Sequence, residues 1–269
     1  MNKHFPVSLV FFLLLLGLAT PGWAQSDTEG LNSDRPDRTQ GPTVVPQGTL
    51  QIETGLQYQK DKNHEFLTKE YLYPGALIRI GLLKWAELRL SSEFKKENQE
   101  IRKGSLEGRL DSERGFNNVQ IGTKLNLYQG QGAIPDIGFQ GNITLPLGND
   151  SFRPTHVAPE GALLFSNKIT DKLDLQYNVG YGKQQGDEEF QGQVYYAVSA
   201  SLKLSSRLQG YGEFFAEKAK ASSAENNVDI GLLVLLLPNL QFDVVAGAEI
   251  SEAAPDYFVG TGFTWRLPR

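Results

Sequence analysis

The chain has 269 residues, no cysteine, 26 basic against 31 acidic side chains and a net charge of −5. Without cysteine there are no disulfides, thiolate metal sites or thiol nucleophiles. An acidic balance with no basic cluster to neutralise phosphates argues against nucleic acid as a partner, and nothing in the composition calls for a cofactor.

Residues 1–24 read as a secretion signal. Lys3 and His4 form a short basic start, Val7 to Ala19 an apolar run of 13 residues, and Thr20-Pro21 breaks it before Gly22-Trp23-Ala24. That run is too short to span a bilayer comfortably, and the small residues at its end predict cleavage after Ala24. No later stretch has the roughly 18 uninterrupted apolar residues that a membrane helix needs. Residues 25–47 are polar, carry Pro36, Pro42 and Pro46, and lack any two-residue alternation. They read as an extended leader, either a periplasmic tail or a plug.

From residue 48 to 269 the pattern changes. Runs such as Gln51-Ile52-Glu53-Thr54-Gly55-Leu56-Gln57-Tyr58 and Asp174-Leu175-Gln176-Tyr177-Asn178-Val179-Gly180-Tyr181 place an uncharged residue at every second position. Period two means strand, because successive side chains leave a pleated sheet on opposite faces. Candidate strands fall near 49–59, 72–82, 85–94, 117–127, 136–146, 160–168, 172–182, 193–204, 207–217, 227–237, 240–250 and 257–267. Short connections alternate with polar ones expected as long loops at 60–71, 95–116, 147–159, 183–192, 218–226 and 251–256. This predicts an all-β, antiparallel, up-and-down transmembrane barrel of about 12 strands, with its tight turns in the periplasm.

One face of these strands carries no charge: Leu50, Ile52, Thr54, Leu56 and Tyr58, for example, or Val228, Ile230, Leu232, Val234 and Leu236. It is expected to face lipid, where one Lys or Arg at the midplane costs about 2–4 kcal/mol. Aromatic girdles follow at Tyr58, Tyr73, Phe94, Tyr181 and Phe258 on one rim and at Trp85, Tyr128 and Trp265 on the other. The opposite face holds Glu53, Arg79, Glu87, Arg89, Glu93, Lys124, Asp136, Asp174, Lys203, Glu213, Glu217, Asp229, Asp243, Glu249 and Arg266. In a narrow tube these lumen-lining candidates either pair into a network that fills the bore or line a small channel with mild cation preference. Gly55, Gly122, Gly138, Gly180 and Gly247 share that face and suit a crowded interior. Asp34, Arg35, Asp37 and Arg38 are too charged for lipid; as a plug they would enter the periplasmic mouth and pair with Glu87, Arg89 and Arg266.

Enzyme constellations are poor. His64 and His156 fall in expected outer loops near Asp61 and Asp150, where solvated residues are far commoner than a hydrolase site. No metal pattern is present. The stretch Glu93–Arg114, with Lys95, Lys96, Arg102 and Lys103, is expected as a solvated loop that reaches lipopolysaccharide phosphates. Expected partners are outer-membrane lipid and lipopolysaccharide, the barrel-assembly machinery and small-molecule solutes.

The sharpest motif is Asp34-Arg35-Pro36-Asp37-Arg38-Thr39, then Pro42, then Val45-Pro46-Gln47-Gly48-Thr49-Leu50-Gln51-Ile52-Glu53-Thr54-Gly55. It resembles the entry to a family of bacterial outer-membrane "transporter" proteins catalogued under the MetA pathway of phenol degradation. The resemblance implies a barrel that passes small hydrophobic or aromatic compounds. The chain departs from common outer-membrane barrels at its end, where Pro268-Arg269 stands in place of a terminal aromatic residue. The function expected is a passive channel or transporter, with a sealed structural or adhesive barrel as the alternative and a membrane-embedded hydrolase third.

Overall fold

In the computed structural model, residues 30–62, 66–103, 106–185, 190–220, 222–251 and 256–268 are described. The signal-peptide expectation on residues 1–24 lies outside them. Twelve strands follow the leader: β1 (Leu50–Lys62), β2 (Phe66–Leu83), β3 (Ala86–Lys103), β4 (Leu106–Tyr128), β5 (Asp136–Thr144) and β6 (Ala158–Lys168). They continue as β7 (Leu173–Gln185), β8 (Phe190–Lys203), β9 (Leu208–Ala219), β10 (Glu225–Leu237), β11 (Leu240–Glu249) and β12 (Tyr257–Leu267). Each pairs antiparallel with its sequence neighbours, and β1 pairs with β12 from Leu50↔Leu267 to Lys60↔Tyr257, closing the barrel. Closure satisfies every edge, which is what a sheet surrounded by hydrocarbon requires.

The apolar face points outward. Ile230 is 69% exposed and Leu56 53%, whereas their chain neighbours Asp229 and Gly55 face inward. Rings gather at one rim: Tyr58 lies 5.1 Å from Tyr71 and 6.1 Å from Tyr257, and Phe94 lies 5.9 Å from Tyr73 and 5.4 Å from Phe116. Trp85, Tyr128 and Trp265 mark the other rim, the turn end, where both ends of the barrel sequence also lie.

Two expectations need correction. The stretches 60–71 and 95–116 are mostly strand, because β1 and β2 run to Lys62 and from Phe66, and β3 and β4 to Lys103 and from Leu106. Beyond the bilayer both faces meet water, so the apolar alternation fades while the ladder of backbone hydrogen bonds continues. Glu93–Arg114 is therefore largely a hairpin rather than a loop, with Lys95 bridging Glu70 and Glu97 at 3.1 and 3.0 Å. Phe258 is not a rim residue: it is buried in the lumen against Phe215, with ring centroids 6.1 Å apart.

Glycine explains where the lumenal rings fit. Tyr195, Tyr211 and Phe258 stand directly across from Gly180, Gly231 and Gly247 on the next strand. A Cβ on any of those glycines would stand within 2.1–2.2 Å of the facing ring. The rings therefore lie flat along the wall instead of blocking the bore.

Candidate functional site

The leader is inside the barrel. From Leu31 it rises from the turn end, reaches its tip at Asp37–Thr39 beside β9, and descends past Gln40, Pro42 and Val45 to β1. Near the turn end the Asn32 carbonyl accepts hydrogen bonds from Gln51 (2.7 Å) and Arg79 (3.3 Å). At the tip the Glu213 carboxylate accepts the backbone N–H groups of Arg38 at 2.8 Å and Thr39 at 2.5 Å, and also the Thr39 hydroxyl. On the way down Gln40 and Asn178 exchange two hydrogen bonds at 2.7 and 2.8 Å, and the Val45 N–H donates to Glu87 at 2.7 Å.

The leader leaves through a tight turn. Thr49 N–H donates to the Pro46 carbonyl at 3.1 Å, and Gly48 holds φ = +78°, a region that suits glycine at this turn position. Gly81 makes room for that turn: a Cβ there would stand 2.1 Å from the Pro46 carbonyl oxygen.

Charge organises the contact. On β2, β3 and β4 stand Arg79, Arg89 and Lys124; among the described residues the wall carboxylates they meet are Glu53 and Glu87. Arg79 binds Glu87 with two nitrogens at 2.8 and 2.9 Å and Glu53 with a third contact of 2.9 Å. The missing third carboxylate is Asp34 from the leader, at 2.5 Å from Arg89, 2.7 Å from Lys124 and 3.3 Å from Arg79. Burial alone would raise the Asp34 carboxyl, but Arg79, Lys124 and Arg89 outweigh it and hold it well below the usual carboxylate range. The opposite wall is acidic, with Glu213, Asp229 and Asp243 on β9, β10 and β11. Arg35 reaches Asp243 with two nitrogens, at 3.1 and 3.4 Å, crossing the space left by Gly55 and Gly262.

Asp37 breaks the pattern by facing the acidic wall. Burial first, then Glu213 and Asp229, pushes its carboxyl well above the usual range. Glu213 already accepts two backbone N–H groups and a hydroxyl from the same tip.

The sequence-selected lumen residues divide into two groups. Glu53, Arg79, Glu87, Arg89, Lys124, Glu213, Asp229 and Asp243 are buried around the leader. Asp136, Asp174, Glu249 and Arg266 are not part of that buried set. Asp136 accepts the Gly130 N–H at 2.7 Å in a tight connection, and Asp174 meets Lys203 at 3.4 Å near the turn end. Glu249 and Arg266 are half-buried near strand ends. Contact with the leader decides this: Glu87 and Asp174 both stand second in their strands, but the leader's Val45 N–H reaches Glu87 and covers it.

Charge-based reasoning passed over the uncharged lining: Gln51, Gln140, Asn178, Tyr211 and Phe215 are all buried in the lumen. Two-residue alternation marks every one of them as inward. His156 is exposed and contacts the Thr155 hydroxyl at 2.9 Å, while Asp150 pairs with Arg153 at 2.6 Å. His64 lies outside the described residues.

A closed antiparallel barrel with an apolar exterior, aromatic rims and a charged interior defines the outer-membrane β-barrel class. Residues 33–267 match the family model described as "Putative MetA-pathway of phenol degradation", so the chain belongs to that family. Among solved structures it resembles the COG4313 outer membrane channel from Pseudomonas putida F1, with TM-score 0.60 and 10% identity, covering 84% of this chain and 97% of that one. It also resembles the NanC porin, with TM-score 0.51 and 8% identity, covering 81% and 100%. At such identities the likeness is one of fold. No curated protein sequence matches.

Proposed function

We propose that the protein is a passive channel of the bacterial outer membrane for small solutes, closed at rest by residues 31–49 acting as a plug. The observation that supports this reading most strongly is the charge balance. Two sides of the lumen carry opposite surplus, and each is met by a leader side chain, Asp34 on one and Arg35 on the other. Buried charges left unpaired are costly, so the same residues are stable either with the leader seated or with water in the bore. A wall that admits either occupant suits a gate better than a permanently filled core.

The solute reading follows the lining. Tyr211, Phe215 and Phe258 give one side of the bore an aromatic surface, and the charged walls flank it. A small aromatic compound with a polar substituent finds both stacking and hydrogen-bonding partners there, in keeping with the family's description. Planar-bilayer recording tests the plug: removing residues 25–45 is expected to convert a low, flickering conductance into a large steady one. Equal conductance with and without the leader would remove the plug, and no conductance in either form would leave a sealed structural barrel. Liposome swelling with neutral, charged and aromatic solutes then ranks the cargo.

A further inference from the structure

A cavity of about 380 Å³ lies in the lumen beyond the plug tip, lined by Arg38, Arg89, Glu93, Glu160, Glu217 and Phe215 among others. Its charges are unequal. Arg89 is already bound by Asp34 and Glu87, while Arg38 is the basic group beside Glu217, whose other oxygen accepts from Gln193 at 2.7 Å. Arg38 is held in two separable ways. Its backbone is fixed by Glu213 at 2.8 Å, but its side chain is 61% exposed. The guanidinium makes a long ion pair, 3.5 Å to Glu217, and sits 5.3 Å from the centre of the Phe215 ring.

An aromatic face beside a carboxylate is the arrangement that recognises organic cations, through the ring quadrupole and the opposite charge together. Gln140 lines the same cavity, is 7% exposed, and among the described residues its carbonyl Oε1 has no hydrogen-bond partner.

We infer that this cavity is a binding site for small organic cations bearing an ammonium or guanidinium group, and that the Arg38 side chain is its tethered resident. An incoming cation takes the place of the Arg38 head on Phe215 and Glu217, while Glu213 still holds the tip backbone. The inference rests on the channel reading, and it gives that channel a solute class and a contact through which solute and plug compete.

The test is direct binding of methylguanidinium to the leader-containing barrel in detergent, followed by titration calorimetry, with isosteric, neutral methylurea as control. Methylguanidinium is expected to bind and methylurea not. Arg38→Met, which keeps the backbone anchor, removes the internal competitor and should tighten binding roughly tenfold, while Glu217→Gln and Phe215→Leu should each weaken it by about three- to tenfold. An unchanged affinity in Arg38→Met, or equal binding of methylurea, overturns the assignment. A difference in migration between unboiled and boiled samples on gels, equal to the parent's, shows that each variant is folded. Conductance separates this idea from the one beneath it. A barrel that binds the cation yet never conducts sinks the channel reading and keeps the site; one that conducts but ignores the cation does the reverse.

Discussion

Replacing Asp34 with asparagine probes the buried charge balance directly. With the leader seated, Arg79, Arg89 and Lys124 share Glu53, Glu87 and Asp34, three charges of each sign, and all six residues are buried. Asp34→Asn leaves three bases with two acids. Leaving a buried charge uncompensated costs about 3–5 kcal/mol, and only the seated state bears it, because an open lumen hydrates the bases. Seating should therefore weaken by roughly two to three orders of magnitude. Limited trypsin digestion reads this well. Arg35 precedes Pro36, which blocks cleavage, so the Arg38–Thr39 bond reports whether the tip is covered. The parent should resist and Asp34→Asn should be cut, with a parallel rise in conductance. Adding Lys124→Met restores two bases against two acids and should recover most of the protection, a coupling that a double-mutant cycle measures. If the single variant stays as resistant as the parent, or the double is no better than the single, the charge-balance argument is wrong.

Three further outcomes are expected. Ile230→Lys puts a charge near the middle of β10 on the lipid-facing side and should lower unfolding stability in lipid vesicles by about 2–4 kcal/mol; no loss would mean that this face is not in hydrocarbon. Gly81→Ala brings a Cβ against the Pro46 carbonyl oxygen, backbone against backbone, and should destabilise the leader's return by about 1–3 kcal/mol, visible as faster cleavage after Arg38. Asp37 makes seating depend on pH. Its raised seated pKa means that the closed form favours the proton, so seating is strongest below the ordinary aspartate value and weakens as pH rises through the window above it. Asp34 shifts downward and acts only below its ordinary value, so above the ordinary aspartate value conductance should rise with pH in the parent, and Asp37→Asn should reduce that rise. A flat parent profile would overturn the Asp37 assignment.

Much of the barrel was legible in the sequence because its physics is local. Alternation along β10 or β12 fixes strand, face and register in one step, and closure follows from an even number of such strands. The β3–β4 hairpin was read as loop for the same reason: past the bilayer nothing apolar needs hiding, so Lys95 and Glu97 alternate with no visible pattern although their backbones still pair. The lumen was legible by charge, which found Arg79, Glu87 and Asp243. It missed Tyr211 and Phe215, whose inward direction is set by strand parity and whose room is made by glycines on the neighbouring strand. Which leader residue meets which wall residue was out of reach, because Asp34 to Lys124 and Arg35 to Asp243 are contacts across 90 and 208 residues with no local periodicity to announce them.

The ring order gives those distant contacts a common cause. In a closed barrel of twelve strands β3 faces β9 and β4 faces β10, so the strands that carry Arg89 and Lys124 stand across from those that carry Glu213 and Asp229. The basic and acidic walls therefore oppose one another, and an empty lumen carries a field running across the bore. A chain threaded between them gains most where its charges alternate side to side. Asp34 and Arg35 do so because successive side chains of an extended backbone point in opposite directions. The same field acts on anything that replaces the leader. A solute with no dipole gains nothing from it, whereas one with a charged or hydrogen-bonding group is oriented by the walls and can lay an apolar part on Tyr211, Phe215 and Phe258. On the proposed channel reading, discrimination would then be by polarity placed on a small ring or chain rather than by hydrophobicity alone.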